Sequence, residues 1–204
     1  MSRTTATNAT RWGDRDQRRI DILLAGEELL RDGGYAALRM RDVADGAGIS
    51  LGTVYTYFAT KEDLFIGIFA ENVVRLTGKL RRQIETASDF AEVFIATATQ
   101  YREQYQVFGR QFDALGLVQE SGGLQPAVEQ RLRAATADLV ATLGRGLIDQ
   151  GYEGDVGLAM TLLWSTVTGL ANHYTTARQE FLTVPWEDAV AFAAESLGRS
   201  LDVN

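Results

Sequence analysis

Residues 41–64 read RDVADGAGISLGTVYTYFATKEDL, and this stretch decides the fold. Val43, Ala44 and Ala47 recur at helical spacing, so Arg41 to Ala47 is read as a short helix. Gly48 then permits a sharp turn that a residue with a side chain resists. Ile49 supplies an apolar plug under the turn, and Ser50 is a natural N-cap for a second helix over about Leu51 to Phe58. A helix this short has little stability of its own, so a scaffold must hold it. It presents Thr53, Tyr55 and Tyr57 among apolar Val54 and Phe58. Exposed hydroxyls of this kind bond phosphates and base edges. The stretch therefore reads as a helix-turn-helix that enters DNA.

Working outward, a first helix is expected over about Arg15 to Asp32. Ile22, Ala25, Gly26 and Leu29 share one face, and Gly33-Gly34 should stop it. Residues 1–14 are polar and Thr-rich, with Arg3 and Arg11, and read as a flexible N-terminal arm. Downstream, Thr60 with Asp63 three residues on resembles a capping box with Asp in place of Glu. It opens a connecting helix over 61–85, about 37 Å long at about 1.5 Å per residue. Further helices are expected near 88–108, 110–119, 124–150, 153–178 and 186–201, separated by Ser88-Asp89, Gly109, Ser121-Gly122-Gly123, Gly151 and Pro185. Two prolines, abundant Ala and Leu, and no convincing strand alternation predict an all-α chain. Its expected organisation is a three-helix DNA-binding domain over 15–60 and a helical ligand-binding and dimerisation domain over 61–204.

The net charge of −7 is unevenly spread. Residues 1–82 carry 13 basic and 11 acidic side chains, whereas 83–204 carry 7 and 16. Only the first part can face phosphate comfortably, and the acidic remainder helps orient docking. With no cysteine there is no disulfide, thiolate metal site or redox switch. No stretch has the length of a membrane span, and the N-terminus lacks the apolar core of a signal peptide, so a cytosolic protein is expected. There is a single histidine, no Gly-x-Ser-x-Gly and no Walker loop, so neither an enzyme nor a cofactor or metal site is expected.

The pattern Ala44, Ala47-Gly48-Ile49-Ser50, Gly52, Val54-Tyr55, Tyr57-Phe58, Lys61 and Leu64 resembles the TetR family of transcriptional regulators. The likeness extends upstream through Ile22, Ala25, Leu29 and Gly34-Tyr35 and covers about residues 18–70. It implies that Thr53 and Tyr57 face base edges or the sugar–phosphate rim, and that Tyr55 and Lys61 anchor phosphate. Gly52 would let the helix approach the DNA backbone, and Ser50 would serve as both cap and phosphate donor. Two positions depart from the pattern. Arg39 stands where Ser or Thr usually caps the second helix, which costs about 1 kcal/mol of capping but adds a cation beside the reader. Leu51 replaces a frequent Lys or Arg. Arg41 joins the candidate DNA contacts.

Beyond residue 80 no motif is diagnostic. Phe90, Phe94, Tyr101, Tyr105, Phe108 and Phe112 form an aromatic series, in which Phe94, Tyr101, Tyr105, Phe108 and Phe112 share one helical stripe. It reads either as core packing or as one wall of an apolar ligand cavity. The resemblance implies such a cavity. Its candidate lining is Phe94, Tyr101, Tyr105, Phe108, Gln111, Phe112, Trp164 and His173, although a lone histidine is more often structural. Small and apolar residues recur over 153–178 and 186–201. By resemblance, Leu163, Thr166, Leu170, Phe192 and Leu197 would build a four-helix homodimer interface. The expected function is a repressor that leaves a near-palindromic operator on binding a small apolar, possibly aromatic ligand. The alternative is a DNA-binding protein of this fold controlled by a protein partner or by its own abundance.

Overall fold

The computed structural model describes residues 5–108 and 123–203, with side chains from residue 15 onward. Among these there are eight α-helices and no strand: α1 Thr5–Ala37, α2 Met40–Gly46, α3 Leu51–Tyr57, α4 Lys61–Thr86, α5 Phe90–Phe108, α6 Pro126–Asp149, α7 Val156–Thr175 and α8 Trp186–Leu201. A 3-10 turn, Ala177–Phe181, joins the last two. The all-α expectation holds. No helix among the described residues is long and apolar enough to cross a membrane.

Two boundaries differ from expectation. The first helix begins at Thr5 rather than near Arg15, so the segment expected as an arm is helical from Thr5. No proline interrupts residues 5–32, and a Thr-rich composition alone does not break a helix. At the other end, Gly33 (φ −146°, ψ 15°) and Gly34 (φ 65°, ψ −165°) kink α1 instead of ending it, and the chain resumes a helical turn to Ala37. The helix expected over 110–119 lies outside the described residues.

The chain divides into two compact units. The first comprises Met1–Ala70 and Gln111–Leu132. In it, Ile22, Leu30 and Leu38 from α1 and its exit meet Val43, Val54, Phe58, Leu64 and Ile68, all fully buried. Burying each such side chain is worth about 1.5–3 kcal/mol, which is how a seven-residue α3 persists. The α4 backbone lies directly on the Phe58 ring: a Cβ at Gly67 would stand 2.6 Å from Phe58 Cε1. The start of α6 is tied here too. Asp63, a buried carboxylate, accepts from Gln125 N at 2.8 Å, while Gln125 Oε1 accepts from Ala59 N at 3.4 Å.

The second unit comprises Glu71–Arg110 and Arg133–Asn204. In it, α5 packs on α7 and α8, which also pack on each other. Arg81 of α4 donates to both carboxylate oxygens of Asp138 at 3.0 and 3.1 Å and to Thr142 Oγ1 at 3.1 Å, joining α4 to α6. Tyr174 closes the α7–α8 connection by donating to the Val184 carbonyl at 2.7 Å, with its ring edge-on to Trp186. Thus α4 and α6 each have one end in each unit.

Candidate nucleic-acid interface and apolar pocket

The turn before α3 is built from backbone hydrogen bonds. Ile49 N donates to Ala44 O at 3.0 Å and Gly48 N to Asp45 O at 3.2 Å, with Gly48 at φ 65°. This is the Schellman closure, and it needs glycine at that position. Ser50 caps α3: its Oγ accepts from Thr53 N at 3.1 Å and lies 2.8 Å from Thr53 Oγ1. Val54 and Phe58 point into the core. The opposite face presents Gly52, Tyr55 and Thr56, with Thr53 and Tyr57 partly exposed on its flanks. Thr56 was not among the expected contacts. Its Oγ1 bonds back to Gly52 O at 3.0 Å, satisfying its hydroxyl within the helix.

Cations precede and follow α3 in the sequence. Arg39 and Arg41 are exposed at the start of α2, and Arg39 makes no side-chain cap bond. Lys61 Nζ stands 3.9 Å from the centroid of the Tyr35 ring, and Tyr35 donates to Glu62 Oε1 at 2.9 Å. Burial lowers the Lys61 pKa, Glu62 opposes that shift, and the Arg39 charge lowers it further. Arg39 and Lys61 therefore feel each other's charge. Burial, then the hydrogen bond and charge of Glu62, raise the Tyr35 hydroxyl well above its ordinary range, so it remains a neutral donor. Tyr35 thus touches both Lys61 and Glu62, a contact the sequence pattern did not suggest.

In the second unit, Phe90, Phe94 and Thr97 of α5, Leu143 and Leu147 of α6, and Leu163, Trp164 and Val167 of α7 line an apolar crevice. Its free volume is about 50 Å³, room for only a few water molecules. Of the expected ligand residues, Phe94 and Trp164 line it. Tyr101 and Tyr105 do not. Both are buried in the α5–α7 packing, Tyr101 edge-on to Trp164 at 5.1 Å and Tyr105 accepting from Asn172 Nδ2 at 2.5 Å. Phe108 is also buried away from the crevice, and His173 is exposed on α7. Gln111 and Phe112 lie outside the described residues. The stripe on α5 is real, but it meets the crevice only at its N-terminal end, where the Phe90–Phe94 pair was the available signal.

Leu163, expected in a dimer interface, faces the crevice. Thr166, Leu170 and Leu197 are half-buried, whereas Phe192 is 69% exposed. The outward face of α7 instead carries Leu158, 71% exposed, and Leu162, 45% exposed, with Thr161 and Ser165 between and beyond them. Among the described residues no group of His, Cys, Asp or Glu is arranged to hold a metal ion.

Residues 22–68 match the family model described as bacterial regulatory proteins, tetR family. The HTH-type transcriptional activator FasR of Mycolicibacterium smegmatis is 35% identical over 75 residues, which is 37% of this chain and 34% of that protein. The chain thus spans about a third of the length of this curated relative. Over longer stretches the likeness is one of fold. A transcriptional regulator from Rhodococcus sp. Rha1 aligns with TM-score 0.67 at 21% identity, over 91% of this chain and 98% of that one. The transcriptional regulator FadR from Bacillus subtilis, in complex with stearoyl-CoA, aligns with TM-score 0.58 at 19% identity, over 89% and 96%. Residues 22–68, with their Schellman turn and capped α3, thus match the tetR family of bacterial regulatory proteins over the helix-turn-helix region.

Proposed function

We propose that the chain is a homodimeric transcriptional repressor that reads a near-palindromic operator with α3 and leaves it when an apolar ligand binds the second unit. The observation that carries the DNA-binding part is α3 itself. A seven-residue helix is held by Val54 and Phe58 so that its hydroxyl-bearing face meets solvent, and the segments before and after it in the sequence carry Arg39, Arg41 and Lys61. In this reading Thr53 and Tyr57 read bases. Ser50, Tyr55 and Lys61 hold phosphates, and Gly52 allows close approach. Residues 15–60 are the reader, and 61–204 sense ligand and dimerise.

Dimerisation is supported by the exposed apolar side chains of Leu158 and Leu162 on α7 and Phe192 on α8, which no described residue buries. Two reading heads related by a two-fold axis require an inverted-repeat operator.

Ligand response is supported by the α6 path. Leu143 and Leu147, near one end, line the crevice, and the other end follows the Gln125–Asp63 bond beside the reader. Ligand pockets run to about 300–1,000 Å³, so a crevice of about 50 Å³ must widen to admit one. Moving α6 away from α5 and α7 would disturb its start at Asp63. Release then follows from unequal ligand affinity for the two states. The similarly folded FadR was solved with stearoyl-CoA, which favours an apolar chain as the inserted group here. The narrowness of the crevice is also the observation that favours the second reading, control by a protein partner or by abundance without an effector.

One experiment addresses both readings. Duplex DNA selected by the full chain is titrated with salt, and the bound complex is then challenged with apolar compounds. Salt-sensitive binding reversed by a compound that also raises the melting temperature of the free chain supports ligand control. Salt-sensitive binding that no compound in a broad apolar library alters supports the second reading. Binding that ignores salt contradicts both.

A further inference from the structure

A second pocket lies elsewhere in the second unit, against the connection between α7 and α8. Its lining includes Arg102 of α5, Tyr174 of α7, Leu182 and Val184 of the connection, and Trp186 and Glu187 of α8. Its volume is about 380 Å³, several times that of the apolar crevice. The guanidinium carbon of Arg102 stands 4.7 Å from the centroid of the Trp186 ring. Trp186 is buried, and it is braced edge-on by Tyr174. The cation is therefore laid on a fixed aromatic floor.

Arg102 is also incompletely satisfied. Its Nε–H is shielded from bulk water and has no acceptor among the described residues. A buried donor without an acceptor is costly, and no carboxylate among the described residues engages the guanidinium through that N–H. Arg102 is the one cation of the lining, and Glu187 is the one carboxylate. With these two charges opposed, a single added negative charge is tolerated better than two. Leu182 and Val184, both exposed, offer apolar surface beside the guanidinium.

We propose that this pocket is a second ligand site, for a small organic monocarboxylate. The carboxylate accepts from Arg102, and its apolar body lies along Leu182 and Val184. The planar fork of arginine matches a carboxylate, and the wall chemistry matches a short chain or ring. The site is independent of the apolar crevice and of the DNA-binding reading.

The test uses the full chain with 15N-labelled tryptophan. It holds three tryptophans, Trp12, Trp164 and Trp186, so three indole signals report position. Benzoate is titrated, with hexanoate as a flexible probe and benzamide as the uncharged isostere. Saturable movement of the Trp186 signal is expected with a Kd of about 0.1–10 mM, the range for a ligand this small. Benzamide should bind about tenfold or more weaker, and so should benzoate to Arg102→Gln, with Arg102→Lys between. The proposal is overturned if neither carboxylate gives saturable movement at Trp186. It is also overturned if benzamide matches benzoate, if only the Trp164 signal moves, or if a folded Arg102→Gln binds benzoate like the parent chain. Should Arg102→Gln lose its fold by melting, the benzoate–benzamide contrast on the parent chain and the Arg102→Lys titration decide.

Discussion

Asp63→Ala should strongly destabilise the first unit. Asp63 is 2% exposed. One oxygen accepts from Gln125 N at 2.8 Å, and the other from Thr60 N at 3.2 Å and Thr60 Oγ1 at 3.0 Å. Removing it leaves two backbone donors without an acceptor. The Thr60 donor has solvent nearby and should cost about 1 kcal/mol, and the Gln125 donor about 1–3 kcal/mol, so about 2–4 kcal/mol in all. Gln125→Ala keeps the backbone N–H and removes only the long bond from Ala59, so it should cost about 0.5 kcal/mol or less. Asp63→Asn keeps one accepting oxygen and should fall between. Urea unfolding of the full chain, followed at the first unit, reads all three. If Asp63→Ala costs under about 0.5 kcal/mol, or Gln125→Ala costs as much as Asp63→Ala, the carboxylate does not hold the start of α6.

Lys61→Ala should weaken binding to all DNA sequences alike and lower the slope of log K against log salt by about one unit. Thr53→Ala and Tyr57→Ala should instead change which sequence is preferred, as read by competition between operator variants. Leu158→Glu with Phe192→Glu should yield monomers in sedimentation with an unchanged fold, because both side chains are largely exposed in the single chain. Tyr105→Ala should cost about 3–5 kcal/mol, since the ring is buried and hydrogen-bonded. Trp164→Ala, at the 37% exposed rim of the crevice, should cost about 1–2 kcal/mol and alter the ligand response; denaturant unfolding and DNA release separate the two.

The reader was legible because its signals are local. Gly48 closes a Schellman turn, Ser50 caps α3, and Val54 and Phe58 lie four residues apart on its buried side. The start of α8 at Trp186 was legible because Pro185 precedes it. The crevice was not. Phe94, Tyr101, Tyr105 and Phe108 share one face of α5, and only the packing of α6 and α7 decides which of them meets empty space. The same holds for α7, where small and apolar residues occur on every side. Composition pointed to Leu163, Thr166 and Leu170, whereas the uncovered face carries Leu158 and Leu162. Arg39 without a capping bond was legible as a departure, but its effect on Lys61 required the fold.

The most direct test is selection by the full chain from a pool of random duplex DNA, followed by sequencing of the bound fraction. A two-fold pair of α3 helices predicts enrichment of an inverted repeat, its half-sites centred about one helical turn, roughly 34–36 Å, or a multiple of it apart. Thr53→Ala should redirect the enriched half-site, while the Leu158→Glu, Phe192→Glu chain should lose the repeat. Failure of the parent chain to enrich any sequence, or enrichment of a lone unrepeated site that Thr53→Ala leaves unchanged, would contradict the account.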